Sequence, residues 1–155
     1  LYLGRQRALN DDWQAGASIA RYEYWKNVRG FSYDYTEATI EAEWRSMLRF
    51  RLQYSPDYSI FVRGRPMREF QTLTGEVQFS RALHRSVLGT VALGYYDLSD
   101  AIGSGFFFWS VGAVATRGRL SAALSYVQVD DHARNLFSAP YTRNKLIASL
   151  AWRLR

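Results

Sequence analysis

The chain contains no cysteine and only two histidines, His84 and His132. A disulfide framework and a thiolate metal centre are thereby excluded, and imidazole ligation has almost nothing to work with. No metal site and no cofactor is expected. A concentrated charge is also lacking: the formal net charge is +6, but the basic residues are dispersed and form no block. That distribution is not the footprint of nucleic-acid binding, so no nucleic-acid partner is expected. Long apolar runs are missing too. The longest covers residues 106–115 and is interrupted by Ser110, about half of the roughly twenty residues a transmembrane helix needs. A disordered polymer is excluded by the 48% hydrophobic and 16% aromatic content, which is enough apolar surface to order a chain. The chain begins at Leu1 with neither Met nor a leader, which leaves targeting undecided.

What the sequence has is alternation. Averaged hydropathy hides a membrane β-barrel, because its strands need only about ten residues and alternate apolar with polar side chains. Between residues 36 and 44 one parity reads Thr36, Ala38, Ile40, Ala42, Trp44 and the other Glu37, Thr39, Glu41, Glu43. Every charge falls on one face. The next segment places Leu48, Phe50, Leu52 and Tyr54 opposite Arg49, Arg51 and Gln53. If Arg45, Ser46 and Met47 form the turn, Trp44 meets Leu48, Glu43 meets Arg49 and Glu41 meets Arg51. The same period continues through Leu73, Val77 and Phe79 against Thr72, Thr74, Glu76 and Gln78, then through Val91, Leu93 and Tyr95, then Trp109 and Val111, then Leu124 and Tyr126. A last strand carries Leu146, Leu150 and Trp152 against Lys145 and Arg153, an earlier one begins at Trp13, and residues 1–7 offer a further candidate.

The fold class expected is all-β: one domain over residues 1–155, an antiparallel up-and-down transmembrane barrel of about eight or nine strands. Tight turns near residues 10–12, 45–47, 83–85 and 117–119 alternate with long connections at 26–34, 55–69, 99–105 and 130–142. Outer-membrane barrels have short periplasmic turns and long outer loops, which orients the chain and places it in a bacterial outer membrane. Its partners are then the bilayer and lipopolysaccharide, with other envelope proteins as candidates. Trp13, Trp44 and Trp152 fall at the short-turn side, and Trp25, Tyr24, Tyr54, Tyr58, Tyr95, Tyr96 and Tyr126 toward the other, as two aromatic girdles would. A soluble lipocalin-like barrel also alternates, but its apolar face points inward and its outer face carries dispersed charge. If residues 1–12 are a tail, eight strands close on themselves; if residues 1–7 form a strand, the count is odd and further strands are needed.

The polar parity supplies the candidate functional residues: Glu37, Glu41, Glu43, Arg49, Arg51, Glu76, Lys145 and Arg153 as a charge ladder facing the lumen. Catalysis has little material. Asp130, Asp131 and His132 adjoin in one outer loop, yet an active site needs groups converging from several strands, so no enzyme is expected. Asp97, Asp100, Asp130 and Asp131 are read as loop acids that bridge lipopolysaccharide through divalent cations rather than as a dedicated metal site. Ser55-Pro-Asp-Tyr58 reads as a rigid turn.

Five short motifs in order, Tyr35-Thr-Glu37, Tyr54-Ser-Pro-Asp-Tyr58, Leu93-Gly-Tyr-Tyr-Asp97, Trp109-Ser-Val-Gly112 and Leu124-Ser-Tyr126 before an acidic loop, resemble the TorF-family porins over residues 13–154. The resemblance implies an outer-membrane barrel with strands upstream of this chain, about twelve in all, a width that can leave a narrow channel. It also implies passive diffusion of small polar solutes. The chain departs from the usual pattern by ending Trp152-Arg-Leu-Arg155, without a terminal aromatic. The alternative from another class is a closed structural or interaction barrel, a subunit of an envelope complex with no transport activity.

Overall fold

The computed structural model describes residues 1–24, 33–59, 69–136 and 144–152. Among these residues nine strands follow one another: β1 (Tyr2–Ala8), β2 (Trp13–Tyr22), β3 (Tyr35–Trp44), β4 (Leu48–Ser59), β5 (Glu69–His84), β6 (Val87–Leu98), β7 (Ser104–Arg117), β8 (Leu120–Val129) and β9 (Lys145–Trp152). Two short helices, α1 (Ser99–Ile102) and α2 (Asp131–Leu136), follow β6 and β8. All nine strands lie in one sheet in chain order, each antiparallel to the next. Up-and-down order follows from the connections, since a tight turn can only return the chain beside the strand it leaves.

The register is the one the charges require. Trp44 pairs with Leu48, Glu43 with Arg49 and Glu41 with Arg51. The turn between them holds Arg45 at φ 49 and Ser46 at φ 54, both left-handed as the twist of a tight hairpin demands. Arg45 is fixed there by Asp12, whose two carboxylate oxygens accept from Nε at 2.8 Å and Nη2 at 3.1 Å.

Of the two readings open for the first residues, the strand holds and the tail does not: β1 pairs with β2 along its whole length, Arg5 opposite Ala17. Two expectations need correction. The β5–β6 turn sits at Arg85 and Ser86 rather than at 83–85, since β5 runs to His84 and β6 starts at Val87. Ser55-Pro-Asp-Tyr58 is not a turn but the continuation of β4 through a bulge, with Ser55 opposite Thr72 and Tyr58 opposite Phe70. The extra residue accommodates Pro56, which has no N–H for a ladder. It also frees Asp57 to take the place of a backbone acceptor: Thr36 donates to it through its N–H at 2.6 Å and its hydroxyl at 3.1 Å, and Arg21 Nη1 donates at 2.6 Å. Of the long connections expected, 99–105 contains α1 and the start of β7, 130–142 begins with α2, and residues 26–32 and 60–68 lie outside the described residues.

Among the described residues the sheet is not closed. No pairing there joins β1 to β9, and in a meander of nine the first and last strands run in the same direction. An all-antiparallel ring needs an even count, so the nine cannot form one by themselves. Both edge strands are exposed along their length.

Burial is inverted relative to a water-soluble sheet. The parity carrying Ser, Thr, Gly and the charged pairs holds the buried residues, among them Phe70 at 3%, Ala92, Thr72 and Ser80, whereas the aliphatic parity is open: Ile40 and Leu93 are 58% exposed and Leu150 72%. Phe50, Leu52, Val77, Val91, Val111 and Leu124 are exposed on the same face. The sheet therefore curls around its polar face. On β2 to β9 the apolar parity is uncharged except near strand ends, at Arg21, Glu69, Arg81, Asp97 and Arg117. Strand β1 is the exception, bringing Arg5 and Arg7 onto that face beside Ala17 and Ala15.

The bulge generates a prediction. Asp57→Ala strands the Thr36 N–H and the Arg21 guanidinium together and should cost about 1–3 kcal/mol in urea unfolding, with Asp57→Asn, which keeps an acceptor, recovering part of the loss.

Candidate functional site: a charged wall beneath an aromatic row

Strands β3, β4 and β5 bring six of the expected ladder residues onto one wall of the polar face. Glu43 accepts from both Nε and Nη2 of Arg49, at 2.9 and 2.6 Å. One level up, Arg51 reaches Glu41 at 3.6 Å on one side and Glu76 at 3.8 Å on the other. Above that, Glu37 accepts from Gln53 Nε2 at 3.0 Å. Side chains in these pairs keep 16 to 37% of their surface in contact with solvent, so each ion pair is worth about 0–1 kcal/mol rather than the larger figure of a dry interior. Four glutamates, Glu37, Glu41, Glu43 and Glu76, stand against two arginines, so the wall carries an excess of carboxylate. The wall borders a recess of about 420 Å³ whose other side is made by Gln6, Gly16, Ser18 and the rings of Tyr2 and Tyr22. Gly16 matters by its size: a Cβ there would stand 3.3 Å from the Glu41 side chain.

The remaining ladder residues do not join this cluster. Lys145 has the same parity and lies in the row Glu43, Arg49, Gln78, Ala92, Ser110 and Val127, but four strand spacings from β5. Arg153 is outside the described residues, as is Trp25.

The aromatic residues divide between the two faces. Trp13 and Trp44 pair directly at the tight-turn edge of the apolar face, and Trp152 lies at the same edge on β9, opposite Leu120. Tyr54, Tyr95 and Tyr126 also project from the apolar face, with Tyr95 against Phe107 at 4.8 Å and Trp109 against Tyr126 at 5.8 Å. Tyr58 belongs to the other face, because the bulge before it shifts its parity. Its ring meets Tyr35 at 4.9 Å and Tyr96 at 6.3 Å. Tyr22 stacks on Tyr35 at 4.6 Å and Phe106 approaches Tyr96 at 5.5 Å. An aromatic row thus crosses the polar face from β2 to β7 at its long-loop end. Tyr22 and Tyr35 share parity with Ser18 and Glu37, so their inward placement was readable; that of Tyr58 depended on the bulge. Phe70, Leu98 and Ala101 of α1 pack beside the row with Ile102 and Phe106, forming a small apolar cluster over β5 to β7. On the same polar face Phe108 lies on Gly94, where a Cβ would collide with the ring.

The loop acids are individually committed. Asp97 accepts from the Ser99 N–H and hydroxyl, Asp100 from the Gln71 N–H, and Asp131 from Arg134. Asp130 accepts from the Phe107 N–H at 2.9 Å and the Ala133 N–H at 2.8 Å, capping α2 and tying it to β7. His132 Nε2 lies 3.0 Å from Ser104 Oγ. These groups sit at the long-loop edge, and among the described residues no set of three His or acidic side chains converges as metal ligands would. Burial pushes the Asp130 carboxyl up, but the Ala133 and Phe107 N–H groups, the charge of His132 and the His132 N–H outweigh it and hold the carboxyl below its ordinary value.

No family model, curated protein or solved structure matches the chain. What the fold defines is the class: an antiparallel up-and-down β-sheet of nine strands, polar on the face it encloses and apolar on the face it exposes.

The Asp130 geometry sets a pH dependence. Since the folded value is the lower one, its contribution is complete above the unfolded carboxyl pKa of about 4 and disappears as pH falls through the folded value. Amide exchange at Ala133 and Phe107, corrected for intrinsic rates, should be protected at pH 6 and lose that protection in strong acid; Asp130→Ala should remove it at both.

Proposed function

We propose that the protein is an outer-membrane β-barrel, of the kind the TorF-like motifs suggest, that passes small polar solutes by passive diffusion. One observation carries the reading: charge is gathered on the enclosed face while β2 to β9 present an uncharged apolar band outward. Water penalises that arrangement and a bilayer rewards it, because burying a Leu, Ile, Val or Phe side chain is worth about 1.5–3 kcal/mol. Exposed aliphatic patches of this extent fit a lipid or protein contact. The Trp residues at the tight-turn edge and the Tyr95 and Tyr126 contacts higher on the same face suit membrane interfaces. Closure by further antiparallel strands, one or three of them, would give an even-numbered barrel and enclose the recess beside β1 and β2 as a lumen. Solvated ion pairs and excess carboxylate would weight passage toward small polar solutes and cations over anions. No catalytic step is part of this proposal.

A second reading has its own support. The cluster of Phe70, Leu98 and Ala101 with the aromatic row covers the polar face at the long-loop end, which suits a closed barrel that serves as structure or as a subunit of an envelope complex.

Planar-bilayer recording of the full-length protein separates the two. The pore reading expects discrete conductance steps with a cation preference that changes when Arg49 and Arg51 are both replaced by Ala. Silence in both proteins, together with a stability loss well above the 0–1 kcal/mol of a solvated pair, would leave the closed barrel.

A further inference from the structure

The positive charge is segregated. Among the described residues the tight-turn edge holds Arg7, Arg45, Arg81, Arg85, Arg117 and Arg119 against Asp11 and Asp12, six minus two, an excess of four within a formal net charge of +6. Asp12 is already engaged by Arg45. The long-loop edge is acidic instead: Arg21 pairs with Asp57 and Arg134 with Asp131, and Glu23, Glu69, Asp97 and Asp130 add further carboxylate there.

Arg81, Arg85, Arg117 and Arg119 belong to two neighbouring hairpins that the Val87–Ala115 pairing sets side by side. All four are exposed, and none enters an ion pair among the described residues. Their position matters as much as their charge. Arg81 follows Phe79, and Arg117 follows Ala115, on the apolar parity, so both leave the apolar face at its rim. Leu83, 67% exposed, and Trp152, 63% exposed, occupy the same edge.

We infer that this arginine rim binds the phosphate headgroups of anionic phospholipid, an inference that rests on the membrane reading above. An arginine at the border of an apolar band lays its methylenes along hydrocarbon and raises its guanidinium to headgroup level. There its planar donors match phosphate oxygens two at a time. A purely electrostatic docking site for an acidic protein would need the charge alone; arginines interleaved with exposed Leu83 and Trp152 fit a surface that is hydrocarbon on one side and phosphate on the other. An arginine near an anionic bilayer surface contributes about 1 kcal/mol, roughly a five-fold preference per residue.

The chain's own tryptophans report the association. Full-length protein reconstituted in phosphatidylcholine vesicles is compared with vesicles containing phosphatidylglycerol, each lipid brominated on its acyl chains in turn, and quenching gives the relative affinity. The expected result is a preference for phosphatidylglycerol of about five-fold or more, removed by about 1 M salt through screening. It should also be removed by combining Arg81→Gln, Arg85→Gln, Arg117→Gln and Arg119→Gln, and be retained in Arg134→Gln at the opposite edge. Unchanged quenching by brominated phosphatidylcholine verifies that the quadruple variant has inserted, and the salt titration of unaltered protein gives an answer even if it has not. Equal quenching by the two lipids, or a preference that survives salt, overturns the inference and leaves the membrane reading standing. No quenching by either lipid overturns both.

Discussion

Strand register governs the rest of this protein, since a slip of one residue would carry every side chain of a strand to the opposite face. The pairing of Glu43 with Arg49 and Glu41 with Arg51 is one guard against such a slip. A slipped β3–β4 hairpin would set Glu43 against Leu48 or Phe50 and leave charge facing aliphatic carbon. Arg45 supplies a second guard by tying the β3–β4 turn to Asp12 at the start of β2. A third lies at the other end, where Asp57 stands in for a missing ladder acceptor and stops β3 and β4 from separating beyond the Ala38–Tyr54 pair. None of these contacts is strong by itself in a solvated setting. Together they hold a parity, and the parity decides which face is apolar.

That outcome is unfavourable in water. A sheet that encloses serine, threonine and ion pairs while exposing Ile40, Leu93 and Leu150 gives up the stabilisation a soluble fold takes from its aliphatic side chains. In the proposed bilayer setting the balance reverses, and the buried polar face keeps the charges away from hydrocarbon. Strand β1 fits least well. Arg5 lies level with Ala17 and Ile40, so a fully immersed β1 would present a guanidinium to lipid. The edge where the ring is open is also where the apolar band ends.

Much of this was legible in the sequence because a strand's period is short and local. Parity alone placed Glu37, Glu41, Glu43, Arg49, Arg51 and Glu76 on one face, and counting back from a three-residue turn put Trp44 opposite Leu48. The bulge at Ser55 to Tyr58 was not legible: Pro56 and Asp57 have the composition of a turn, and only the hydrogen bonds from Thr36 and Arg21 make them part of a strand. Counting by parity therefore puts Tyr58 with Tyr54 on the apolar face, whereas the bulge turns it to the polar one. Lys145 shows the other limit. Its parity is right, but distance along the sheet is set by strand order and curvature, which alternation does not encode.

The central claim is that the apolar parity meets lipid and the polar parity meets water. A chain without cysteine permits a direct measurement: single cysteines at each position from Leu48 to Tyr54, spin-labelled and reconstituted with full-length protein in vesicles, with collision rates measured against oxygen and against a water-soluble nickel chelate. The account predicts oxygen maxima at Leu48, Phe50, Leu52 and Tyr54 and nickel maxima at Arg49, Arg51 and Gln53, alternating residue by residue. A flat profile, or high nickel accessibility on both parities, would contradict it.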